Sequence, residues 1–79
     1  MDACEGPEID IDALGLKCPL PVLRLRKRLK KLDIGAVISI LADDPAAVVD
    51  VPFFCIENGH ELIELTSTDG AVLFKVRKG

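Results

Sequence analysis

The chain alternates between two kinds of hydrophobic pattern. Glu8-Ile9-Asp10-Ile11-Asp12 changes from polar to apolar at every residue, the pattern of a half-buried strand. Leu14-Gly15-Leu16-Lys17 breaks that pattern as a loop. From Pro19 to Leu32 the period becomes helical: Val22, Leu25, Leu29 and Leu32 form one apolar face, with Arg24, Lys27, Arg28 and Lys31 towards the other. Asp33-Ile34-Gly35 ends this helix, with Gly35 suited to a left-handed conformation. Ala36–Ala42 (AVISILA) is nearly all apolar and reads as a central strand, covered on one side and partly on the other.

Asp44-Pro45 is a helix start, with Asp44 as N-cap and Pro45 at the first helical position. This second helix is expected to reach Asn58 and stop at Gly59. Pro52 removes a donor inside it, so a kink or a restart is expected there, with Asp50 as a second cap. His60–Ser67 alternates again, Thr68-Asp69-Gly70 is a hairpin turn, and Ala71–Arg77 is the returning strand. The order is β-α-β-α-β-β. It predicts an α/β (α+β) two-layer sandwich: two helices on one face of a four-stranded mixed sheet, with a parallel, right-handed first crossover and an antiparallel final hairpin.

At 79 residues the chain allows one domain, read as a flexible tail at Met1–Pro7 followed by residues 8–79. A domain of this size buries roughly 60–65% of its unfolded surface, so its core is thin. With no Trp or Tyr and only Phe53, Phe54 and Phe74 as aromatics, that core must be aliphatic. A deep pocket for a large aromatic cofactor is not expected, and the chemistry considered below needs no metal, flavin or nucleotide.

Charge sharpens the picture. The net charge is −3, yet no acidic residue lies between Ala13 and Leu32, where seven of the ten basic residues fall. An acidic protein with one basic helix can dock an acidic partner without being a general nucleic-acid binder. Arg24, Lys27, Arg28 and Lys31 are the docking candidates, the plainer alternative being a solvated face.

Three cysteines, Cys4, Cys18 and Cys55, are too few and too irregular for a disulfide scaffold. With His60 as the only histidine, no metal-ligand spacing is present. Met1–Pro7 is short and acidic, unlike a signal peptide, and no apolar run has membrane length. A reduced, cytoplasmic protein with free thiols is expected.

Cys18-Pro19-Leu20-Pro21 is the segment with chemical content. The first N–H groups of a helix have no internal partner, so Pro19 and Pro21 cost no hydrogen bond there. Cys18 then falls at the N-cap, where a thiolate could accept from the N–H of Leu20. The helix dipole and the adjacent Lys17 should lower the thiol pKa. The sulfur would protrude at a rigid corner, a geometry for exchange between proteins. Spacing alone leaves a second reading open, a small half-buried Cys ahead of a helix.

Asp12-Ala13-Leu14-Gly15-Leu16-Lys17-Cys18-Pro19-Leu20-Pro21 resembles the signature of the TusA (SirA-like) family of sulfur-carrier proteins, which ends in Cys-Pro-x-Pro. Asp44-Pro45, Asp50-Val51-Pro52 with Phe54-Cys55, and Gly59-His60-Glu61-Leu62 follow in the family's order, so the resemblance runs from Ile9 to Lys78. It implies the βαβαββ sandwich. It also implies that Cys18 takes sulfane sulfur as a persulfide from a donor such as a cysteine desulfurase and passes it to an acceptor protein. Family uses include tRNA wobble-uridine thiolation, molybdenum-cofactor synthesis and sulfur oxidation, with some relatives linked to selenium. Lys17, Pro19 and Pro21 would support Cys18.

Two alternatives remain from the residues. A nucleic-acid-binding module has the basic helix for it, and the overall charge and lack of exposed stacking aromatics against it. A thiol-redox regulator would use Cys18 without moving sulfur. Cys55 is expected to face the core, the alternative being a resolving thiol. Cys4 is read as an incidental thiol in the tail, His60 as a surface residue or local cap, and Asp12 as a candidate to orient the Cys18 loop.

Overall fold

The structure is a computed structural model, and it describes residues 9–79. The expected tail at Met1–Pro7, with Cys4, lies outside the described residues. Six elements follow one another: β1 (Ile11–Ala13), α1 (Leu20–Leu29), β2 (Val37–Ala42), α2 (Ala47–Asn58), β3 (Glu61–Thr68) and β4 (Ala71–Arg77). The sheet order is β1-β2-β4-β3. β1 is parallel to β2, and both β2–β4 and β3–β4 are antiparallel. This is the expected α+β sandwich with a mixed sheet.

The alternating positions explain the layers. Ile11 and Ala13, Ile38, Ile40 and Ala42, and Phe74 and Val76 turn one face of the sheet inward. Leu25 and Leu29 of α1 and Val51, Phe54 and Cys55 of α2 cover that face. Burying each large side chain of this set contributes about 1.5–3 kcal/mol of transfer free energy. The opposite face carries charge ladders instead, Arg77 on Glu61 at 2.7 Å and Lys75 near Glu64 at 3.8 Å. Ser39 is buried on that side because Asp10 folds over it: Ser39 N–H donates to Asp10 Oδ2 at 2.9 Å and Asp10 N–H donates to Ser39 Oγ at 3.1 Å.

Element ends differ from the sequence reading in ways that matter for the site. α1 is shorter at both ends than Pro19–Leu32. Pro19 is its N-cap, and Lys31 and Leu32 continue only as i→i+3 turns. α2 does not begin at Pro45. Asp44 does satisfy a free N–H, that of Ala46 at 3.2 Å. The next turn is nevertheless held by i→i+3 bonds, Ala47 N–H to Asp44 O and Val48 N–H to Pro45 O, so regular helix starts only at Ala47. α2 then runs through Pro52 without a restart, and Asp50 caps nothing there. The proline forgoes the bond its nitrogen would have made to the carbonyl of Val48, one turn back on the solvent side. α2 stops at Gly59 as expected, and Gly59, at φ 75°, closes it by taking the left-handed conformation.

Candidate functional site

Parallel pairing of β1 with β2 sets Ala13 opposite Ala42. The two connections that leave these strands at the same end of the sheet, residues 14–19 and 43–46, are therefore neighbours. Two consecutive aspartates of the second loop pin the first. Asp43 Oδ1 accepts the N–H of Gly15 at 3.0 Å, and Asp44 Oδ2 accepts the N–H of Cys18 at 2.5 Å. Asp12 Oδ1 closes the start of the loop on the N–H of Leu14 at 3.0 Å, a local Asx turn. Gly15 has φ 79°, a conformation that L side chains resist. The loop is thus held from outside at two points, the N–H groups of Gly15 and Cys18, with Cys18 at its far end.

Cys18 is exposed. It is not the helix cap expected from sequence. Pro19 occupies that position, and the N–H of Leu20 donates to the carbonyl of Lys17 at 2.8 Å instead. The thiol turns towards α2 and donates to Asp50 Oδ2 at 2.8 Å. Electrostatics follow from that contact. The hydrogen bond to Asp50 first, then desolvation, then the negative charges of Asp50 and Asp44 push the thiol pKa up from its ordinary value. The expectation of a lowered pKa is therefore corrected: two carboxylates from distant segments outweigh the helix dipole and Lys17.

The sulfur faces an open cleft of about 360 Å³ between the start of α1 and the outer side of α2, rather than standing on a bare corner. Pro19, Val22, Phe53 and Phe54 supply its apolar walls, and Asp50 and Glu57 its charge. Phe53 is 61% exposed, and with Val49 (69%) and Ile56 (78%) it makes an apolar stripe along α2 beside the cleft.

Pro21, read as a supporting residue, is buried beneath α1 with Leu25 and Leu29, which anchors the first helical turn to the core. Lys17 is exposed. Arg24, Lys27, Arg28 and Lys31 do come together. They line a separate groove of about 430 Å³ with Ile11, Leu20 and Leu23, and that groove shares no residue with the Cys18 cleft. Arg28 is partly committed there, since its Nη1 donates to the carbonyl of Asp10 at 3.1 Å.

Cys55 is 1% exposed in the core, and burial pushes its thiol pKa up. His60 is half-buried. Its ring lies 5.6 Å from that of Phe54, its Nδ1 accepts the N–H of Gly79, and its own N–H caps α2 on the carbonyl of Cys55. Asp50 is the residue the sequence reading misplaced. The missed signal was topological: adjacent parallel strands bring the loop after one beside the helix start after the other.

Among the described residues no helix is long and apolar enough to cross a membrane. The fold and chain are similar to those of the SirA-like protein from Desulfitobacterium hafniense, known from its crystal structure. The identity is 31%, with a TM-score of 0.78 over 87% of this chain and 95% of that one. The family model described as sulfurtransferase TusA matches residues 9–78, which is nearly every residue of the sandwich, both pinned loops and the Cys18 cleft. The chain belongs to the TusA family of sulfurtransferases.

Proposed function

We propose that Cys18 carries sulfur as a persulfide between two other proteins. The observation that supports this most is an exposed thiol on a loop fixed by Asp43 and Asp44 and facing an open cleft. A relay needs its sulfur reachable by two successive partners and held still between them, and a closed pocket would serve neither. In the loading step Cys18 loses its proton and its sulfur attacks the terminal sulfur of a donor persulfide. A new S–S bond forms at Cys18 and the donor's S–S bond breaks. The electron pair leaves on the donor cysteine, which takes up a proton. Unloading repeats the exchange, with a thiolate of the acceptor protein as the attacking group. No cofactor enters either step.

The donor is of the cysteine-desulfurase type and the acceptor is a protein in tRNA thiolation, cofactor synthesis or sulfur metabolism, all in the cytoplasm. Pro19 and Pro21 keep the first turn rigid behind the sulfur, and Lys17 adds positive charge beside the loop. Arg24, Lys27, Arg28 and Lys31 form a second contact area suited to an acidic patch on one of the two partners.

The test is to incubate the reduced protein with a cysteine desulfurase and cysteine, then take intact and peptide masses without reductant. One added sulfur atom is expected on the Cys18 peptide and none in Cys18→Ser. Repeated failure to load from several persulfide donors would overturn the proposal in favour of a redox or binding role.

A further inference from the structure

The cleft around Cys18 has one sign of charge. Asp50 and Glu57 line it from α2, and Asp44 holds the Cys18 backbone from the β2–α2 connection. Lys17, on the thiol's own loop, is the only cationic neighbour in sequence. Among the described residues the ion pairs are confined to β3 and β4, so no cation lies at ion-pair distance from Asp50, Asp44 or Glu57. Of the basic side chains on α1, Arg24, Lys27 and Arg28 line the other groove, and Arg26 is exposed and lines neither that groove nor the cleft. An acceptor thiol that will become an anion therefore sits beside an unneutralised carboxylate at 2.8 Å. Attack is disfavoured until something positive arrives.

We infer that Asp50 is a specificity-determining residue, which makes Cys18 react preferentially with sulfur compounds and protein persulfides that bring a positive charge next to the sulfur under attack. This deepens, and rests on, the reading of Cys18 as the sulfur acceptor. A lysine or arginine on the rim of the donor's persulfide site would pair with Asp50 as the partners meet. With its charge neutralised, the carboxylate would no longer disfavour the thiolate, so the Cys18 thiol would lose its proton to solvent and the sulfur would be freed only in the docked pair. A donor with an acidic rim would meet like charge at the same place, which discriminates against it as effectively as the cation favours its partner. The exposed apolar stripe of Val49, Phe53 and Ile56 beside the cleft gives such a partner area to bury around this charge pair.

Small disulfides isolate the effect from protein docking. The full chain is reacted with cystamine, which carries an ammonium group near each sulfur, and with dithiodiglycolate, which carries a carboxylate there. In each case Cys18 attacks one sulfur of the probe, the probe's S–S bond breaks, and one half leaves as a thiol. The rate is read as mass added to the Cys18 peptide. The ratio of the two rates is compared between wild type and variants, so that probe reactivity and any change in thiolate fraction cancel.

At low ionic strength the cystamine preference should fall by about tenfold in Asp50→Asn, be retained in Asp50→Glu, and contract in wild type as salt is added. Glu57→Gln should reduce it less, because Glu57 does not touch the sulfur. An unchanged ratio in Asp50→Asn overturns the inference whatever the persulfide assay gives. Conversely, an Asp50-dependent ratio in a protein that never loads a persulfide would overturn the carrier proposal and leave this charge selection standing.

Discussion

The two flanks of α1 are opposites. On one, Arg24, Lys27, Arg28 and Lys31 line a basic groove against β1. On the other, Cys18 faces an apolar cleft whose charges are all carboxylates. In the sequence the thiol and the basic run look like one unit, because no acidic residue lies between Ala13 and Leu32. The fold separates them. Parallel strands bring Asp44 and Asp50, 26 and 32 residues away, to the backbone and sulfur of Cys18. A helix turns its neighbours in sequence to different sides, whereas a crossover brings remote residues to the same place. The electrostatics of a reactive residue therefore follow topology more than local composition.

The contrast can be broken or sharpened in order of expected effect. Replacing Cys18 by Ser should remove persulfide loading completely while leaving thermal unfolding within about 0.5 kcal/mol of wild type, as expected for an exposed side chain outside the core. Intact mass and calorimetry together read both outcomes. Cys55 provides the opposite case. Enclosed by the core and with its pKa raised by burial, it should resist a neutral alkylating agent under conditions that modify Cys18, and react only when denaturant unfolds the sandwich. Peptide mapping after timed alkylation distinguishes the two thiols.

Asp44→Ala removes the acceptor for two backbone N–H groups, those of Cys18 and Ala46, and should cost about 1–2 kcal/mol in urea unfolding. Asp50→Asn acts on chemistry more than on stability. Because Asp50 and Asp44 hold the Cys18 proton, wild-type alkylation should rise with pH to a midpoint above the ordinary thiol range. The Asn variant should move that midpoint down and raise the rate at neutral pH severalfold. The smallest effect should come from the basic groove. Changing Arg24 and Lys27 to Gln should leave Cys18 alkylation within about twofold of wild type at moderate salt, since screening falls off over about 10 Å. Those same changes should weaken association with a partner that presents an acidic patch there.

Much of the fold was legible because its layers obey simple periods. Ile11 and Ala13, or Ile38, Ile40 and Ala42, announce buried strand faces by alternation, and Leu25 with Leu29 announces the inner stripe of α1. Helix ends were less legible. Pro19 and Pro45 both read as first helical residues, yet each lies before its helix, in turns that sequence does not separate from helix proper. Cys18 itself stood out through its flanking prolines and through the family resemblance. Its surroundings did not. Asp50 was read as a cap for Pro52, because the bond it makes to the thiol spans 32 residues and depends on strand order. The lowered pKa expected for Cys18 failed for the same reason, since only the helix end and Lys17 are local.

The central claim is that Cys18 holds a sulfur atom in transit, and the most direct test follows one labelled atom. Cys18 is loaded from a desulfurase with radiolabelled cysteine, the donor is removed, and a candidate acceptor protein is added without reductant. Label should leave the Cys18 peptide and appear on an acceptor cysteine, with a parallel failure in Cys18→Ser. Label that never enters the Cys18 peptide, or that enters and is released only as free sulfide, would contradict the account.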